Sequence, residues 1–124
     1  MPDENSHLNQ AERNSNCYEA LMLLNPNRFT EWEVITLFYS ALHYAEAFCA
    51  RYGSEFQHPE NHAERKKELA DQVGPEIYFN YCTLYDHSEA ARYYTDSVSE
   101  DEVAQLHAED YVPFRDGIKL LLGV

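Results

Sequence analysis

Histidine and arginine are the side chains best able to move protons or hold anions near neutral pH, and this sequence offers them in three settings. Ser40, His43 and Glu46 step by three along the otherwise apolar stretch 34–49 and form a narrow polar seam. Such a seam suits a general base facing a cleft, or a core histidine satisfied by a tyrosine or carboxylate from a neighbouring helix. The second setting is His58-Pro59-Glu60-Asn61-His62-Ala63-Glu64-Arg65. His58 and His62 have the spacing of two metal ligands on one helical face, but Pro59 puts His58 at or before the cap and no third ligand follows. No metal and no cofactor are therefore expected. His62 and Arg65, three apart, share a face suited to an anion near a helix N-terminus. The third setting pairs Ser88 with Arg92, four apart on the stripe that carries Tyr81 and Leu84. A core-facing arginine requires a partner, either an internal carboxylate such as Glu46 or a bound phosphate. His43, His62, Arg65 and Arg92 are thus the catalytic candidates, and Arg65, Ser88 and Arg92 the candidates for holding an anion or nucleotide.

The charge balance limits what these groups can serve. Nine Lys and Arg face 22 Asp and Glu, a net charge of −13. Such a surface repels phosphate backbones and anionic membranes unless its cations gather on one face. A basic protein partner suits it better. Arg65-Lys66-Lys67 is the sole cationic run, and its plain reading is a solvated face balanced by Glu64, Glu68 and Asp71. Nucleotide-binding, metalloprotease and hydrolase signatures (GxGxxG, GxxxxGK[ST], HExxH, GxSxG) are absent from the sequence.

These candidates need a scaffold, and 124 residues with 44% hydrophobic side chains suit one domain over 1–124 with a real core. Leu8, Ala11, Ser15, Tyr18 and Met22 recur at helical steps, and Asn25-Pro26-Asn27 is the expected stop. Thr30-Glu31-Trp32-Glu33 reads as a capping box opening a second helix to Tyr52, with Gly53 as a left-handed stop. That helix is apolar on most sides (Trp32, Val34, Ile35, Leu37, Phe38, Leu42, Ala45, Phe48), so it belongs in the middle of a bundle, packed with the fourth. Pro59 is expected to open a third helix and Gly74-Pro75 to separate it from a fourth bearing Ile77, Tyr81, Leu84, Ser88 and Ala91. Ser99-Glu100-Asp101-Glu102 is a second capping box. The helix it opens carries Val103, Leu106, Asp110, Phe114, Ile118 and Leu121, with Pro113 expected to kink or break it. The pattern is an all-α, up-and-down bundle of about five helices.

Cys17, Cys49 and Cys82 lie far apart in apolar segments and read as buried, reduced thiols. The N-terminal residues form no signal peptide, and 34–49 is too short and too polar to span a bilayer. A soluble, cytoplasmic protein off the membrane is expected.

At these same residues the sequence resembles the HEPN superfamily, small helical domains found beside nucleotidyltransferases and among RNA-cleaving toxins. The resemblance covers about 30–122. It rests on Trp32 with the run Phe38 to Ala47, on His62 and Arg65, and on Tyr81, Leu84, Ser88, Ala91, Arg92 and Tyr93. It is similar to a bacterial HEPN-like branch whose fourth helix ends in an Arg-Tyr pair. HEPN ribonucleases carry an arginine and a histidine with four to six residues between them, paired across a dimer. Here Arg51 and His58 alone meet that spacing, across Gly53, and residues 76–82 hold no arginine. The resemblance therefore implies a homodimeric module that binds a protein or a nucleotide or anion, in a toxin–antitoxin system or beside a nucleotidyltransferase. A metal-independent endoribonuclease acting on RNA is its alternative.

Overall fold

The computed structural model describes residues 2–24, 28–93 and 97–124. It contains α1 (Glu4–Met22), α2 (Thr30–Tyr52), α3 (His62–Gln72), α4 (Pro75–Tyr93) and α5 (Glu100–Leu106). A π-helical turn (His107–Tyr111) leads from α5 without a break into α6 (Val112–Leu122). No strand occurs among the described residues, and the protein is an all-α bundle.

Side-chain pairs along α2 give the direction of each neighbour. Glu4 meets Arg51, His7 meets His43 and Ala11 meets Ser40, so α1 runs antiparallel to α2. Tyr81 packs on Phe38, while Ala91 and Arg92 lie beside Glu31, Trp32 and Ile35 nearer the start of α2, so α4 is antiparallel as well. Arg28 pairs with Glu100, Tyr111 with Ser40 and Arg51 with the carbonyl of Leu122, so the α5–α6 rod runs parallel to α2. The result is an up-and-down arrangement of four long rods, α2 and the three packed on it, with the short α3 set into the α2–α4 connection. Leu37, Phe38, Ala41, Ala45 and Phe48 of α2 meet Tyr18, Leu69, Tyr81, Leu84, Phe114 and Ile118 in one core. Trp32 does not join it and remains 59% exposed.

Several helix ends differ from expectation. Thr30 is the first helical residue of α2 rather than its cap, and no capping box forms. The Glu33 carboxylate is instead wholly buried against the Arg28 guanidinium, which also holds Glu100 at 3.1 Å. Gly53 is not left-handed (φ −58°, ψ 126°). A Cβ there would lie 2.5 Å from the Phe56 carbonyl and 2.6 Å from that of Cys49, so glycine is required by close approach of backbone. Pro59 lies in the preceding loop, and α3 opens at His62 with Asn61 accepting from the Glu64 amide at 2.9 Å. Ser99 does cap α5, accepting from the Glu102 amide at 3.1 Å, and Asp3 caps α1. The Asn25-Pro26-Asn27 stop lies outside the described residues.

Pro113 does not end its helix but follows the π-turn, in the first turn of α6. Proline has no N–H to donate, and its ring clashes with the carbonyl four residues back, so a widened turn is a natural accommodation. The buried stripe keeps Phe114 and Ile118 as expected and departs from an even count at two positions. Leu106 is followed by Tyr111 rather than Asp110, and the helix ends with Leu122 buried and Leu121 exposed.

All three cysteines are free, but Cys17 is exposed and Cys82 half-buried, contrary to the expectation of three buried thiols. Burial, with Glu46 and Glu68 nearby, pushes the Cys49 thiol up to about 12. No helix of the described residues is long and apolar enough to cross a membrane.

Candidate functional site

Each member of the α2 seam has a partner from a different element. Ser40 donates to the Ala11 carbonyl at 2.7 Å and so accepts from the Tyr111 hydroxyl, also at 2.7 Å. His43 meets neither a tyrosine nor a carboxylate. Its Nδ1 lies 3.0 Å from Nδ1 of His7 on α1, with the rings stacked at a centroid distance of 5.3 Å. Burial, followed by the charges of His7, Arg65 and Arg13, lowers His43 to about 4. Glu46 takes Arg65 as its partner, with Nε at 2.7 Å and Nη2 also in contact. Both members of that pair are buried.

The same Arg65 donates through Nη1 to Nδ1 of His62 at 3.0 Å, which leaves the proton of a neutral His62 on Nε2. The His62 ring packs edge-on against Tyr85 (5.0 Å) and beside Phe38 (6.0 Å). Burial first, then the charges of Arg65, Arg92 and Lys66, hold His62 below the ordinary histidine range. Lys66 sits with Nζ 3.6 Å above the Tyr85 ring. Arg92 donates to the Tyr39 hydroxyl and the Ser88 carbonyl, each at 3.3 Å, and lies 5.9 Å from the Phe38 ring. With Glu46 committed to Arg65, Arg92 has no carboxylate partner among the described residues, and neither has Lys66. The fold thus gathers His62, Arg65, Lys66 and Arg92 where α2, α3 and α4 meet.

Arg92 also lines a groove of about 330 Å³ with Glu31, Trp32, Ile35, Tyr39 and Ala91. Ser88 is fully buried on α4, and its hydroxyl has no hydrogen-bond partner among the described residues; the same holds for the buried Tyr81 hydroxyl next to Arg65. His58 stands in the exposed loop before α3. Among the described residues no group of three or more His, Cys, Asp or Glu is arranged to hold a metal. Arg51, the one arginine at ribonuclease spacing from a histidine, reaches away to the Leu122 carbonyl at 2.6 Å and to Glu4.

The sequence reading missed three buried polar residues. His7 shares a stripe with Ala11 and Tyr18, a signal masked by choosing Leu8 as the inward residue. Glu33 has the spacing of a capping-box carboxylate, which hides its burial against Arg28. Glu68 accepts from the amides of Ser54, Glu55 and Phe56 and from Gln72, a clasp on the chain reversal after α2 that no residue spacing announces. Burial alone would raise its pKa, yet these donors hold the carboxyl below its usual range. Comparison of the chain with protein-family models, with curated proteins and with solved structures returns no match.

Proposed function

We propose that this chain is a HEPN-like helical module that binds a phosphate-bearing ligand, a nucleotide before others, in the notch between α2, α3 and α4. One observation carries the reading. In a chain of net charge −13, Lys66 and Arg92 flank a His62 held below the ordinary range, and neither cation has a carboxylate partner among the described residues. Arginine and lysine bind phosphate through charge-assisted hydrogen bonds, and the aromatic floor of Phe38, Tyr39 and Tyr85 limits competition from water. The exposed Trp32 beside Arg92 offers a planar surface for a base. Arg65 is neutralised by Glu46, so its part is to orient His62. The module acts as a cytoplasmic homodimer, in a toxin–antitoxin pair or beside a nucleotidyltransferase-type partner.

Calorimetric titration with pyrophosphate and with ATP tests this. Arg92→Ala and Lys66→Ala should each weaken binding about tenfold or more, equivalent to about 1.4 kcal/mol, with the melting temperature nearly unchanged. Absence of heat at millimolar ligand, or a melt lowered by many degrees in Arg92→Ala, overturns it. The second reading, a metal-independent endoribonuclease, draws on the same neutral His62 beside three cations, with histidine moving protons and arginine stabilising the phosphorane. Cleavage of labelled RNA that survives EDTA and is lost in Arg92→Ala would select it.

A further inference from the structure

The His7–His43 contact takes no part in the ligand reading, and it has a chemical constraint of its own. Two imidazole Nδ1 atoms 3.0 Å apart form a hydrogen bond when they share one proton and repel when each carries one. His7 is 8% exposed, on α1; His43 belongs to α2. Among hydrogen bonds joining these two helices, Ser40 to the Ala11 carbonyl is the neighbouring one, and it does not titrate in this range. We infer that the His7–His43 pair is an acid-sensitive latch that fastens α1 to α2 and opens when both rings are protonated.

The charges around the pair favour one shared proton. Asp3, the cap of α1, favours a charged His7, while Arg13 of α1 opposes charge on His43. Glu46 of α2 favours a charged His7, but that carboxylate is engaged by Arg65 of α3, which opposes charge on both rings. His58, in the loop before α3, opposes it on His7. Burial is the largest influence on each ring and acts the same way. The second proton is therefore expelled at neutral pH and taken up on acidification, in the window between 6.5 and about 4. Opening would bare the α2 surface around Ser40 and Tyr44, which α1 covers.

Hydrogen-exchange protection factors, which are corrected for the intrinsic pH dependence of exchange, read the latch directly. Between pH 7 and pH 4.5, amides of the first half of α1 should lose protection by about tenfold more than amides of α4 in the same molecule. In His7→Gln, whose amide can donate to His43 without titrating, that excess should shrink to under about threefold. Equal loss in α1 and α4, an unchanged α1, or an undiminished excess in the variant overturns the inference. Should the variant not fold, the wild-type chain still decides the matter by NMR. The two Nδ1 atoms of a latch must titrate as a coupled pair in two macroscopic steps, and two independent one-proton curves would refute it.

Discussion

Arg65 and Arg92 both stand near the notch, yet their surroundings assign them opposite outcomes on removal. Arg65→Ala leaves the Glu46 carboxylate buried and unpaired, and should cost about 3–5 kcal/mol in chemical denaturation. Arg92→Ala strands no carboxylate among the described residues, so its loss should stay within about 1 kcal/mol. Sequence spacing offers Glu46 to Arg92 and leaves Arg65 on a solvated face, whereas the fold gives Glu46 to a buried Arg65. The choice is made by α3 running alongside the second half of α2, an arrangement of the connection that no spacing encodes. His62 supplies the pH test of the notch. Its pKa lies below the ordinary 6.5 in the free chain, and an anion against the ring raises it. The bound state then holds more protons than the free one near that pH. Sulfate, whose own charge is constant here, should bind more tightly as pH falls from 7.5 through 6.5, with the gain ending once free His62 is itself protonated. Affinity flat across this range would show that the ring does not face the anion.

Among the elements, α2 is where sequence and structure agree most closely, because a helix apolar on most sides has few places to go but the centre. Phe38 touches Tyr81, Tyr85 and His62 from three directions. Its truncation to alanine should cost about 3–5 kcal/mol, and a measured loss under about 1 kcal/mol would remove α2 from the centre. Helix ends were harder to read, for local reasons. Thr30 has the chemistry of a cap, but burial of Glu33 against Arg28 gives that carboxylate a stronger partner than the backbone. Stripe positions in α5 and α6 agree at Val103, Leu106, Phe114 and Ile118, and miss by one within the π-turn (Tyr111 for Asp110) and at the helix end (Leu122 for Leu121), where a count of uniform turns fails. At Gly53 the need for glycine comes from a close backbone approach and not from a left-handed stop. Because the obstructing atoms are backbone, Gly53→Ala should destabilise by about 1–3 kcal/mol and loosen the reversal clasped by Glu68. A neutral substitution would mean that Phe56 and Gln57 can move aside freely.

For the molecule as a whole, two quantities oppose each other in self-association. Trp32, Phe79, Tyr93 and Leu120 are each more than half exposed on the single chain, and side chains of this size favour burial against a partner. Against this, each copy carries a net charge of −13, so two copies repel over distances comparable with the screening length. That length falls from about 10 Å at 0.1 M salt to about 3 Å at 1 M, while the gain from covering apolar side chains is not weakened by salt and is strengthened by sulfate. Association of this chain should therefore tighten with ionic strength, opposite to a dimer held by complementary charges. Sedimentation at tens of micromolar protein, from 0.05 to about 0.5 M sodium chloride, should show the weight-average mass rising toward twice that of the chain. Replacing Trp32 or Phe79 by glutamate, in separate variants, identifies which exposed side chain is covered, since the covered one should hold the chain at monomer mass at every salt concentration. A monomer throughout, or a dimer that dissociates as salt rises, would mean that these apolar side chains do not meet between copies.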